Sequence, residues 1–565
     1  MSPLTAIRVS GATLAILVAV PALVAQQPEQ GVKPVAQGRR AMVSTSHPAV
    51  TGVALDVLRK GGNAVDAAFT AMLYQHVVEP QMSTPAGGFG ALVYDARTNR
   101  AYYLDAELDH THGAPVGRTL GGPSTVPATS GLRIAVPGTI AGLEAAADRF
   151  GTLAWADYFG PAIQVAENGF PMYSFLFAEL SDAALARLGV YPSGRETYFK
   201  SDGFIPRVGE IWKRPAMAAT LRRIAAEGPD YFYKGEWARH FVDAARETGG
   251  RVTLEEMAAY QPRWREPLQS TYKGHVILGS PPPATGGPLI GMTLNVLEHV
   301  DLKAYGHYTE SSKALALMRR VIGSVESDIV DYVADPASYA VPIDILLSKE
   351  YAATKARLIE SSWPKVDLTS GQPATAPGQP GPGDDPFHTD TNHIVVADEQ
   401  GNWVSLTHTV YGTTFATGLV VDGIGVNSGN AFPGANVGDG RRVVAPLPPT
   451  FVMRDGRPWI ALGSPGLSNR AVAITLTNIL GYGMALDAAV NAPRFDGFAP
   501  GTPFRVETRI PDRVREGLKA FGITVDPQAP FNWHFGSIQA VMRDPQTGEL
   551  TGVADARRGG FADGY

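Results

Sequence analysis

The chain of 565 residues contains no cysteine. That absence excludes disulfides, thiolate zinc sites, iron–sulfur clusters, a lipidated cysteine and a cysteine nucleophile. Charge of one sign is also scarce. There are 48 basic and 54 acidic residues, a net charge of -6, so nothing calls for nucleic acid or an anionic membrane surface as partner. Long apolar runs are missing after the first 25 residues, and no repeat of fixed period is present. Residues 1–25 carry Arg8, the short apolar run Ala12 to Val20, and small residues at Ala22 and Ala25. This pattern predicts a cleaved secretory signal rather than a membrane anchor, and hence a periplasmic or secreted protein.

Residues 26–40 read as a polar, poorly ordered leader. Apolar spacing predicts a helix from Ala49 to Arg59 that ends at Gly61-Gly62, with Asn63 capping a second helix to Val77. Gly87 to Gly90 precede the strand-like Ala91–Tyr94, where clustered glycines point to close backbone approach. Residues 141–250 and 311–332 read as helical, and Pro281–Gly287 as a rigid non-helical run. From Thr369 to Pro386 the chain turns into a Pro/Gly-rich linker.

Directly after that linker comes Thr389-Asp390-Thr391-Asn392-His393, followed by Ile394–Ala397. Ile394–Ala397 and Trp403–Leu406 flank turn residues and predict a hairpin. A cut before Thr391 would give a residue whose hydroxyl attacks a carbonyl while its own α-amine takes the proton. Thr407 and Thr409 fall on the strand pairing behind it. Gly463–Ser468 is a glycine turn before a helix, and its N–H groups suit an oxyanion hole. Asp109-His110-Thr111-His112 would put two histidines on one strand face, but no further ligand set accompanies them. No metal or cofactor is called for.

Several collinear motifs carry a family resemblance. They are Gly61–Ala68, Ala135–Thr139, Pro281–Gly287, Thr391–His393, Gly463–Gly466 and Ala554–Arg558. On these residues the chain resembles the γ-glutamyltransferases (glutathione hydrolases) of the N-terminal nucleophile hydrolase superfamily, from about Ala41 to Tyr565. The resemblance implies an α/β fold, a four-layer αββα sandwich, and self-cleavage between Asp390 and Thr391. The products would be a large subunit, 41–390, carrying the 369–386 linker, and a small subunit, 391–565. The two would stay packed together as one joint domain, with a small-molecule amide or peptide as substrate. Thr391 falls on the family's nucleophile, Thr409 on its supporting threonine, and Gly466 and Leu467 on the two oxyanion donors.

The departures from the family are specific. The run that should carry a substrate-binding arginine is Leu104–Asp109. The run that should carry an aspartate is Asn427–Phe432, and the paired serines are replaced in Ala445–Thr450. An expected asparagine after Thr409 is replaced around Tyr411-Gly412. A buried α-carboxylate needs cationic or multiple donors, and an α-ammonium needs acceptors. The implied function is therefore amide hydrolysis or acyl transfer with an acyl specificity altered from γ-glutamyl. Glu107, His110, His112 and Asn430 are candidate substitute contacts. A secreted binding protein that has kept the fold without the chemistry is the alternative.

Overall fold

The computed structural model describes residues 30–113, 126–361, 390–431, 442–498 and 503–565. Two seven-stranded sheets are present. The first runs in the order Phe561–Gly564, Met42–Thr45, Asn392–Ala397, Trp403–Thr409, Gly88–Asp95, Arg100–Ala106, Arg263–Arg265. The second runs Ala36–Gly38, Leu550–Ala554, Gln539–Arg543, Arg457–Gly463, Thr450–Arg454, His275–Gly279, Leu268–Tyr272. All these pairings are antiparallel.

The sheets face each other across an apolar layer that includes Met42, Leu92, Tyr94, Val395, Trp403, Phe451 and Val541. Burying each such large side chain contributes about 1.5–3 kcal/mol. Both faces of each sheet are covered. A larger core joins the first sheet to the helices Pro48–Arg59 and Ala64–Val78. Another joins the second sheet to Gly286–Glu298, Ser312–Tyr332 and Asn469–Leu476. Helix, sheet, sheet, helix is the expected αββα sandwich.

Local chemistry explains the helix beneath the first sheet. Asn63 accepts from the N–H groups of Val65 and Asp66 while the Asp66 carboxylate accepts from the Asn63 N–H, a capping box. The Asp398 carboxylate takes the Ala64 N–H at 2.9 Å, so the helix start is tied to the end of strand Asn392–Ala397. Nearly every residue of this helix is buried, which suits its apolar, all-round composition.

Three local expectations are corrected. Part of the leader is ordered, because Ala36–Gly38 pairs with Gly552–Leu550. The helix after Pro281–Pro283 begins inside the motif, at Gly286. Asp109–His112 is not a strand, since the chain leaves the sheet after Ala106. The 1–25 leader and the 369–386 linker lie outside the described residues. Among those described, no helix is long and apolar enough to cross a membrane.

Candidate active site

The Asp390–Thr391 peptide bond lies at the head of strand Asn392–Ala397, with both residues buried. Asn392 pairs with His408 on the next strand, which sets Thr409 beside the Asp390–Thr391 bond. The Thr409 hydroxyl donates to the Asp390 carbonyl oxygen and accepts the Tyr411 N–H at 3.0 Å. A β-carbon on Gly87 would run into the Thr409 carbonyl oxygen, so the glycine lets the neighbouring chain close on this strand end. On the opposite side, Arg558 Nη1 donates to the Thr391 carbonyl at 3.0 Å.

The glycine turn arrives from the second sheet. Strand Arg457–Gly463 runs into Ser464–Ser468, and helix Asn469–Leu476 follows. Gly466 has φ +68°, and a β-carbon there would lie 3.0 Å from Gly536 Cα and 3.3 Å from Arg558 Nη2. The Leu467 side chain packs into the core under the second sheet, and its N–H meets no acceptor among the described residues. Ser468 donates to the Pro446 carbonyl, while Thr285 accepts from Asn469 at 2.8 Å and donates its N–H to the Ala445 carbonyl at 2.9 Å. The Pro281–Gly287 motif thus braces the turn and the Ala445–Thr450 run together.

The runs that depart from the family pattern converge in space. Leu108, Ala135, Tyr411, Val443, Ala445 and Leu447 form a separate small apolar cluster. A β-carbon on Gly429 would strike Leu108 and Ala135. In this cluster Tyr411 is two residues from Thr409, and Ala445 is tied to the Gly466 turn through Thr285 and the neighbouring Pro446.

Arg442 supplies a buried guanidinium near the run that lacks its arginine, and sequence reasoning missed it. Its Nε lies 3.2 Å from Asp105 and its Nη1 3.3 Å from Asp109. It also donates to the Glu107 carbonyl at 2.5 Å, the Tyr260 hydroxyl at 2.6 Å and the Gln261 carbonyl at 2.8 Å. Nη1 and Nη2 donate within the protein, while Nε has only the ion pair with Asp105. Burial pushes the Glu107 carboxyl well above the carboxylate range and that of Asp109 to about 6.

The other candidates divide. Glu107 is buried and accepts from the Tyr103 hydroxyl at 3.2 Å, so it is no solvated surface group. His110 and Asn430 meet, with Nδ1 and Oδ1 3.1 Å apart, and burial pulls His110 down to about 4. His112 points outward and pairs with Glu256 at 2.8 Å, so it leaves the group. His393 lies between the sheets, bonded to Thr407 at 2.8 Å and Ser405 at 3.1 Å. No cluster of three or more metal-ligating acidic or histidine side chains occurs among the described residues.

Behind the strand lies a buried polar chain that sequence reasoning also missed. His76 Nε2 meets His408 Nδ1 at 3.1 Å, His408 Nε2 meets Gln75 Oε1 at 3.0 Å, and Gln75 donates to Glu79 at 2.5 Å. The Gln75 oxygen can only accept, so His408 donates through Nε2 and accepts from His76 at Nδ1. Burial draws His408 down to about 3 and raises Glu79 to about 7.

Facing antiparallel sheets sandwiched by helices, with a threonine at the head of a central strand, define an N-terminal nucleophile hydrolase. The chain belongs to the gamma-glutamyltranspeptidase family, whose model matches residues 50–565, and is an enzyme of that class. It is 31% identical over 560 residues to a glutathione hydrolase proenzyme of Bacillus subtilis (strain 168), covering 94% of this chain and 92% of that protein. It is equally 31% identical, over 552 residues and 93% of each chain, to the acylase ACY 1 proenzyme of Pseudomonas sp. (strain SE83). Among solved structures, the cephalosporin acylase from Bacillus halodurans superposes with a TM-score of 0.78 at 26% identity, covering 96% of this chain and 98% of that one.

Proposed function

We propose that this protein is an exported, self-cleaving amidohydrolase or acyltransferase in which Thr391 is the nucleophile. The observation that carries this is the Thr409 hydroxyl donating to the Asp390 carbonyl at a buried strand head. Thr391 Oγ attacks that carbonyl, which the Thr409 donor polarises, and the acyl group passes from nitrogen to oxygen. Water then hydrolyses the ester, freeing the Asp390 carboxylate and the Thr391 α-amine. In turnover the α-amine takes the hydroxyl proton as Oγ attacks a substrate amide. The oxyanion faces the N–H groups of Gly466 and Leu467, each donor contributing about 3 kcal/mol. The amine leaves with a proton, and water or a second amine removes the acyl group.

The acyl group accepted is apolar rather than γ-glutamyl. The cluster Leu108, Ala135, Tyr411, Val443, Ala445 and Leu447 offers no charge, and the charge of Arg442 is matched by Asp105 and Asp109 while its Nη groups donate to backbone carbonyls. The relatives support this: two are named as proenzymes, and an acylase and a cephalosporin acylase stand beside the glutathione hydrolases. The leader at 1–25 sends the chain to the periplasm or the exterior.

A denaturing gel tests the cleavage. The wild-type chain gives two bands with a small fragment beginning at Thr391, Thr391→Ala gives one, and Thr409→Val slows the appearance of two by about 100-fold. Full-length wild-type protein that stays uncut overturns the reading.

A further inference from the structure

Arg558 is fully buried, and its Nε and Nη2 have no hydrogen-bond partner among the described residues. Nη1 is used, donating to the Thr391 carbonyl at 3.0 Å and lying 3.4 Å from Met82 Sδ. Nη2 stands against the glycine turn, 3.3 Å from where a β-carbon of Gly466 would be. The guanidinium therefore bridges the two halves of the proposed machinery and keeps donors in reserve. The carboxyls of Glu79, Asp390 and Glu179 act on it through space. Glu79 is engaged by Gln75, and cleavage would place Asp390 at the end of the other fragment. The rings of Phe175 and Trp533 lie 5.9 and 5.2 Å from its central carbon. A buried guanidinium with unmet donors is costly unless a carboxylate or similar group completes it.

The strand order gives this group a side. Two members of the apolar cluster, Tyr411 and Leu108, follow Trp403–Thr409 and Arg100–Ala106, which lie on one flank of strand Asn392–Ala397. Arg558 immediately precedes the region of Phe561–Gly564, two strands away on the other flank. An amide whose acyl half lies over the apolar cluster extends its amine half toward Arg558.

We propose that Arg558 is a specificity-determining residue that binds a carboxylate on the amine half of the substrate. The substrates are then amides of an apolar acid with an amino acid or another carboxylate-bearing amine. This rests on the reading of Thr391 as the acylated residue.

Calorimetric binding of 4-aminobenzoate and of its methyl ester to the cleaved protein tests it. The acid is expected to bind at least about 30-fold more tightly than the ester. Arg558→Gln brings the two affinities together, and Arg558→Lys restores part of the difference. Equal affinities in the wild type, binding of neither, or a preference that survives Arg558→Gln overturns the proposal. The wild-type ratio decides the matter even if the variants fail to mature. Turnover of N-phenylacetyl-4-aminobenzoate and its methyl ester is followed by mass spectrometry of the small fragment. Absence of any adduct on Thr391 counts against Thr391, whereas an adduct formed equally from acid and ester counts only against Arg558.

Discussion

At the level of single residues, the carboxyl of Glu79 makes stability depend on pH. Its value moves from the usual 4.5 to about 7, chiefly because burial penalises the charged form. The unfolded chain therefore ionises first. Stability is highest below about 4.5 and falls as pH rises toward 7, by up to about 3 kcal/mol, after which the loss is complete. Glu79→Gln keeps an acceptor for Gln75 and removes the ionisation. The variant should match the wild type in urea midpoint at pH 5 more nearly than at pH 8, where it should be the more stable. An unchanged difference between the two pH values would show that Glu79 carries no such cost.

Among elements, the glycine turn and the hairpin serve separate steps. The hairpin brings Thr409 to the Asp390 carbonyl, while in the proposed mechanism the turn would present the N–H groups of Gly466 and Leu467 to a substrate. Gly466→Ala puts a β-carbon 3.0 Å from Gly536 Cα at φ +68°, a backbone that costs an alanine about 1 kcal/mol before any clash. The expected result is ordinary self-cleavage on a gel with amide turnover reduced about 100-fold. These elements were largely legible in the chain. The apolar run Ile394–Ala397 before turn residues, the Asn63 cap and the 311–332 periodicity are local signals, and the structure has Asn392–Ala397, a capping box and Ser312–Tyr332. Strand Ala36–Gly38 was hidden because its partner is Leu550–Gly552, far along the chain. Arg442 and Arg558 were hidden for the same reason, since folding alone brings a guanidinium from one segment to carboxylates or carbonyls of another. The alternating histidines His110 and His112 misled because the chain leaves its sheet four residues before His110.

For the whole molecule, each sheet mixes strands from both sides of the proposed cut. In the first, Met42–Thr45 lies between Phe561–Gly564 and Asn392–Ala397, and in the second Leu550–Ala554 pairs with Ala36–Gly38. Cleavage severs one peptide bond but leaves these ladders intact. The fragments should co-migrate as one species on size exclusion and separate only in denaturant; two native peaks would refute the shared-sheet arrangement.

That interweaving also makes the cut a record of completed folding. The strand that carries Thr391 at its head has Met42–Thr45 on one side, and Thr45 in turn is paired to Phe561 at the far end of the chain. A chain that has not closed this ladder lacks the neighbouring strand that holds the strand of Thr391 in its sheet. The ratio of cut to uncut protein on a simple gel then becomes a folding reporter for substitutions anywhere in the molecule, with no substrate required.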